Sequence, residues 1–285
     1  MHGNSLQLVQ QMIPKPGLFD SHVHLQDYEP GTDIPLIIRQ ANDSGVTHLV
    51  CNGTDVDDWV QVKALAGDDP CIIPCFGVQP WFVPQDMEWV PLLEDYVKSM
   101  RCGIGEIGLD RLREPFNRSL REDAFRVQLD IARRYERPAM IHCVKAWGWL
   151  MDILRDEQPL PAGMLIHSFA GSIELIKPLM QMGAYFSFSG KALFSNYKSA
   201  HKALRAVPLD RLLLESDAPN MLPPDGFRTF TVPFSDGEQY NHPGNLPLIL
   251  KGISTLLEIE PEKLQEIVWE NSLRFFGPLL KESKS

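Results

Sequence analysis

Eight times along the chain, a short β-branched or aromatic run bounded by Gly or Pro gives way to other patterning. These runs lie at 18–22, 47–53, 72–78, 103–108, 139–143, 164–169, 184–190 and 211–217. Between them, apolar residues recur at three- and four-residue spacing. They do so at 33–44 (Ile34, Ile37, Ile38, Ala41), 119–135 (Leu120, Ala124, Val127, Ile131), 147–155, 173–182 and 197–206. Two more helical stretches, 246–257 and 261–276, follow the last strand, and Pro261 suits the first helical position, where its missing N–H costs nothing. In 285 residues, this alternation predicts an α/β chain folded as a single-domain (β/α)₈ TIM barrel. The main rival, an open doubly wound sheet, calls for a Gly-rich phosphate loop after the first strand. Asp20-Ser21-His22-Val23-His24 stands there instead. The expected division is an N-terminal extension (1–17), the barrel (18–277) and a C-terminal tail (278–285).

Composition narrows the function classes. An apolar content of 44% excludes a disordered chain, and 27 Lys+Arg against 37 Asp+Glu (net charge −10) disfavours wide electrostatic gripping of duplex DNA. The five Cys include no CxxC pair, and Cys71 and Cys75 have no second pair to complete a zinc site. They read as buried thiols in a reducing compartment. No apolar run reaches the ~18 residues of a spanning helix, and no basic stretch followed by an apolar one marks an export signal. No membrane partner and a cytoplasmic location are therefore expected, and the oligomeric state is left open.

His and acidic residues gather where predicted strands end. His22 and His24 lie at the end of the first strand, and strand period two sends both to one side. Glu106 lies at the end of the fourth, His142 ends the fifth, His167 the sixth and Asp217 the eighth. A barrel's active site occupies the carboxyl end of its strands, so these six groups should converge. Imidazole and carboxylate suit Zn²⁺ and Mn²⁺, and six such groups suffice for two divalent ions with one carboxylate bridging. Two such ions roughly 3.5–4 Å apart polarise a phosphoryl oxygen and supply hydroxide. Two carboxylates and two divalent ions leave the pocket at about +2, so the acidic surface does not exclude a short anionic strand end. Any one of these residues alone could be structural: a hydrogen-bonded His, a capping Asp, a salt-bridged Glu. Their conjunction is what points to a metal site. His2, His48 and His201 lack such a context and read as structural or exposed.

The same residues carry a resemblance. Phe19–Leu25, Gly105–Asp110, Ile141–Cys143, His167–Ser172, Tyr185–Gly190 and Leu212–Pro219, with a closing Asn271 and Phe275–Gly277, resemble in order the motifs of TatD-type metal-dependent hydrolases. That family is a branch of the amidohydrolase superfamily. The resemblance implies that His22, His24, Glu106 and Asp217 hold one divalent ion (Zn, Mn or Mg). It implies that Glu106, shared, joins His142 and His167 around a second, with Asp217 as proton acceptor for the attacking water. Glu106 and Asp217 are thus the expected catalytic residues. The implied activity is phosphodiester hydrolysis by a deoxyribonuclease acting on DNA 3′ ends or single strands.

Two positions depart from the family's pattern. Gln79 stands where relatives show His, and Gln neither carries a proton nor becomes positive near pH 7. Val144-Lys145-Ala146 replaces Arg-Asp-Ala after His142. Gln79, Arg113, Lys145 and Lys191, with Arg111, are candidate substrate-binding residues at strand ends. The stretch 220–247 reads as a loop walling the site, its Phe227, Phe230, Phe234 and Tyr240 either stacking on bases or pinning the loop to the barrel. Trp81, Phe82 and Trp147 carry the same two readings. Hydrolysis of a C–N or C–O bond in a small-molecule substrate is the alternative chemistry. A non-catalytic scaffold would have lost metal ligands, and all six are present.

Overall fold

The computed structural model describes residues 16–113 and 117–280; His2, most of the N-terminal extension and the end of the tail lie outside them. Eight parallel strands run in chain order: β1 (Leu18–Val23), β2 (Val46–Asn52), β3 (Ile72–Phe76), β4 (Gly103–Asp110), β5 (Ala139–Val144), β6 (Met164–Ile166), β7 (Ala184–Phe188) and β8 (Leu212–Leu214). Each pairs with the next. The first and last meet across a seam: Asp217 N donates to His22 O (3.0 Å) and His24 N to Ala218 O (2.8 Å). Ser216 N also donates to the Asp20 carboxylate at 2.8 Å. The expected single-domain barrel is therefore the architecture.

Helices α1 (Ile34–Asp43), α2 (Trp59–Asp68), α3 (Trp89–Ser99), α4 (Arg118–Arg134), α5 (Trp147–Asp156), α6 (Ile176–Gln181), α7 (Lys198–Ala206), α8 (Leu246–Leu257) and α9 (Pro261–Phe276) complete the fold. Sequence periodicity misses α2 and α3. Their buried stripes are short, Trp59, Val62 and Ala66 in one and Trp89, Leu93 and Val97 in the other, and neither helix start is marked by a side-chain cap. By contrast Asp33 caps α1 through Leu36 N (2.9 Å) and Asn117 caps α4 through Leu120 N (3.1 Å).

Two apolar layers result. Strand residues Phe19, Val50, Ile73, Met140, Leu165, Tyr185 and Leu213 form one buried cluster with Phe275, Phe276 and Leu279, so packing runs past residue 277. A larger cluster lies between strands and helices. Filling the lower barrel with side chains leaves the carboxyl mouth for polar groups.

The stretch 220–247 is not structureless. It holds a short helical turn (Asp225–Phe227), a hairpin of Val232–Pro233 with Gln239–Tyr240, and a second turn (Pro243–Asn245). Its aromatic residues pin it: Phe234 stacks on Tyr240 (3.7 Å), Phe230 stacks on His242 (4.8 Å), and Phe227 packs beside Gly252 of α8. Each of these rings is in contact with the chain's own residues, as the pinning reading expects.

Burial holds the His242 imidazole down at about 4 against an ordinary 6.5, while its Nδ1 accepts the Gly244 N–H at 2.9 Å. Between those two values the unfolded chain binds a proton that the folded one refuses, so stability must fall as pH drops from 6.5 to 4. This group contributes on the order of 3 kcal/mol to that loss. Urea titrations across the window should show a shallower loss in His242→Gln than in the parent; equal slopes would refute the assignment.

Candidate metal centre

The strand ends deliver the six expected groups to one buried site, and they do so through local irregularities. Between Asp20 and Val23, β1 has one residue more than its partner β2, and β4 has one more than β5 between Ile104 and Ile107. An extra residue reverses which side chains face inward. After the first bulge, His22 and His24 face the mouth although Phe19 faces the lower interior. After the second, Glu106 turns inward beside Gly105, whose added Cβ would meet the inward-facing Met140 at 2.7 Å. Gly108, at φ +144°, lets β4 run against His142, since a Cβ there would lie 2.0 Å from the His142 carbonyl oxygen. Asp217 has φ +55°, a left-handed conformation unusual for a non-glycine residue, which places its carboxylate 3.4 Å from His24 Nε2.

Glu106 is the centre. Its Oε2 lies 3.6 Å from His22 Nε2 and 3.4 Å from His24 Nε2. Its Oε1 lies 2.7 Å from His142 Nδ1 and 3.0 Å from His167 Nε2. Within each imidazole pair the facing nitrogens stand 3.1 Å and 3.2 Å apart. A tetrahedral ion with bonds of 2.0–2.1 Å separates its donors by roughly 3.3 Å. The spacing of both donor sets therefore fits a small divalent cation, as does their chemistry of converging imidazole nitrogens and carboxylate oxygens.

Electrostatics agree. Burial alone would raise the Glu106 carboxyl, but the His167 and His142 imidazoles outweigh it and hold the group well below the usual carboxylate range. Burial alone would lower His24, yet the Asp217 hydrogen bond and the Glu106 charge lift it to about 10. His167 is raised in the same way, against burial, by Glu106 and Glu215. His22, stacked on His167 at 3.9 Å, is pushed down by burial and by that neighbour. The site is thus built to favour positive charge between its carboxylates.

A surrounding layer orients the rings. Asp110 Oδ2 sits 2.9 Å from His142 Nε2, and the Asn52 carbonyl accepts from His24 Nδ1 at 2.8 Å. Glu215 lies buried with Oε1 3.7 Å from His167 Nδ1, its other oxygen accepting from Ser187 Oγ. Asp110 and Glu215 were not among the expected site residues. Asp110 follows Glu106 by four positions and shares its side of the strand, a signal that period two offers.

The expected substrate contacts separate. Lys191, with Tyr197, lines a cavity of about 200 Å³ that also holds His142 and His167. Arg113 lies over the Trp81 and Phe82 rings, at 5.2 and 5.6 Å. Gln79 is buried and its Oε1 accepts the Trp81 N–H at 2.8 Å, so its amide carbonyl shapes the loop. Lys145 is exposed at the end of β5, with φ +51°. Arg111 packs over Trp149 (5.7 Å), and Trp147 packs on Phe169 (5.3 Å). His48 stacks on Phe19 and His201 bonds the Ala192 carbonyl, both structural as expected. All five Cys are free, and no helix among the described residues is long and apolar enough to cross a membrane.

Known proteins resemble this chain in sequence and fold. The chain is 29% identical over 263 residues to the uncharacterized metal-dependent hydrolase YabD of Bacillus subtilis, covering 91% of this chain and 98% of that one. It is 27% identical over 270 residues to the 3′-5′ ssDNA/RNA exonuclease TatD of Pantoea vagans, covering 91% and 99%. The crystal structure of YJJV, a TatD homolog from Escherichia coli, superposes with a TM-score of 0.79 at 22% identity, covering 91% and 98%, and shows the same fold. The TatD related DNase family matches residues 19–277. With that span taking in every strand of the barrel and all six converging groups, the chain belongs to the TatD related DNase family and is a metal-dependent hydrolase.

Proposed function

We propose that this protein is a two-metal phosphodiesterase that releases nucleotides from 3′ ends of single-stranded nucleic acid. The observation carrying this reading is one buried carboxylate divided between two imidazole pairs, Glu106 Oε2 facing His22 and His24, Oε1 facing His142 and His167. In this reading His22, His24, Glu106 and Asp217 hold one divalent ion, and Glu106, His142 and His167 hold the other. When bound, such a pair (Zn, Mn or Mg) supplies Lewis acidity toward a phosphoryl oxygen and makes water acidic enough to attack near pH 7. Relatives bearing the exonuclease name support the choice of substrate.

The chain's own groups do the rest. Asp217 stays ionised because the hydrogen bond from His24 and the nearby imidazoles outweigh the effect of its burial. A carboxylate there accepts the proton of the attacking water and returns it to the leaving oxygen. Lys191 and Arg113 meet phosphates of the bound strand, and Lys145 adds a further cation at the mouth.

Asp110 fixes the ring of His142 by accepting from Nε2, which leaves the Nδ1 lone pair for the cation. Asp110→Asn is accordingly expected to weaken divalent-ion binding by about 10–100-fold, measured by competition with a chromophoric chelator. Unchanged affinity would remove Asp110 from this role.

The function is tested by incubating metal-loaded protein with end-labelled single-stranded DNA, with and without a chelator. Stepwise shortening from the 3′ end, abolished by chelator and restored by added metal, is expected. No release from any oligonucleotide would overturn the proposal.

A further inference from the structure

Among the described residues, four aromatic side chains are exposed: Trp81 (41%), Phe82 (38%), Phe194 (37%) and Tyr197 (37%). All four follow strands at the carboxyl mouth, the first two after β3 and the last two after β7. In a barrel ordered β1 to β8, those strands lie four apart, on opposite sides of the mouth. Exposed aromatic rings elsewhere on the surface would suggest scatter; this distribution does not.

Each side also carries a cation. The Arg113 guanidinium lies 5.2 Å from the Trp81 ring centre and 5.6 Å from that of Phe82, and Lys191 Nζ lies 5.6 Å from Tyr197. Both sides touch the metal centre: Trp81 meets His142 edge-on at 6.0 Å, and Tyr197 and Lys191 share the cavity that holds His142 and His167. That cavity of about 200 Å³ is smaller than the ~300 Å³ lower bound for a drug-sized ligand and suits a single ring system.

A flat ring to stack and an anion to pair with a cation are what one nucleotide of an unpaired strand presents. A duplex hides its base faces. Resting on the phosphodiesterase reading above, we infer that Trp81–Phe82–Arg113 and Tyr197–Lys191 are two nucleobase-stacking subsites that hold a single strand across the metal centre, one base on each side of the scissile phosphate. Stacking is tolerant of sequence because every base has a π face. With a net charge of −10, the chain relies on these two local grips rather than on a broad basic surface.

The test pairs a thymidine tetranucleotide with the same backbone made abasic. Base–aromatic stacking at about 1–3 kcal/mol per base corresponds to roughly 5- to 150-fold in affinity. With metal-loaded protein, KM for the abasic strand should exceed that for the thymidine strand by at least about 10-fold. Trp81→Ala with Phe82→Ala, and Tyr197→Ala, should each shrink that ratio, and all three substitutions together should bring it near one. Anisotropy of fluorescein-labelled strands in chelator reads binding without turnover and should show the same ranking. Arg113→Gln and Lys191→Gln, which keep the rings, should weaken both strands alike. Equal KM and equal binding for the two strands in parent and variants would overturn the inference. Base-dependent binding without cleavage of either strand would keep the subsites and overturn the phosphodiesterase reading. Cleavage indifferent to bases would do the reverse.

Discussion

Glu106→Ala is expected to cost the protein both divalent ions and at least about 10³-fold in phosphodiester hydrolysis, since a bound metal's charge stabilisation amounts to several kcal/mol and each 1.36 kcal/mol is tenfold. The size of the effect follows from position. Among the described residues, no other carboxylate reaches both imidazole pairs within 3.6 Å. Without it the facing nitrogens of His142 and His167 lose their carboxylate, Asp110 and Glu215 lying at the other nitrogen of each ring, and the His22–His24 pair retains Asp217. Glu106→Gln keeps the shape and removes the charge, so a comparable loss there assigns the effect to charge. Elemental analysis after gel filtration, beside initial rates, checks both parts. A variant that keeps two ions would refute the bridging role.

Asp217→Asn should behave differently. Its expected signature is a fall in kcat of about 10²–10⁴-fold, the range for a positioned general base, with most of the metal retained. Metal persists because three donors, His22, His24 and Glu106, still surround the first position. The parent's rate should decline on the acidic side as Asp217 takes up a proton. Its pKa is already held below the ordinary carboxylate value, against burial, by the His24 hydrogen bond and the His167 and His22 charges. Protonation removes the acceptor, so activity rises with pH through that value and then levels. In Asp217→Asn this limb should be absent. A variant with the parent's pH profile and kcat would exclude Asp217 as the proton acceptor.

Much of this site is legible in the sequence, for a physical reason. Strands of a barrel are short, apolar and ended by polar residues, so His142 and His167 stand out at the ends of Met140-Ile141 and Leu165-Ile166. What periodicity could not supply was parity. From Gly103 and Gly105, simple alternation sends Glu106 outward, and only the extra residue in β4 brings it in. The same holds for His22 after Phe19. A bulge is set by register against a neighbouring strand, which one strand's sequence does not contain. The aromatics of 220–247 keep two readings in the sequence for a related reason: whether Phe234 meets Tyr240 or a substrate depends on the Val232–Pro233 hairpin, a tertiary fact. Glu215 was visible within Leu214-Glu215-Ser216-Asp217, yet its relation to His167 arises only when β6 and β8 are closed around the mouth.

In the proposed function, Glu106 joins two metal positions into one phosphodiester-cleaving centre. Its most direct test is a stoichiometric metal titration of chelator-stripped protein, following nucleotide release from 3′-labelled single-stranded DNA. Activity should climb to a plateau at two ions per chain. A plateau at one ion, or two ions bound with no nucleotide released, would contradict it.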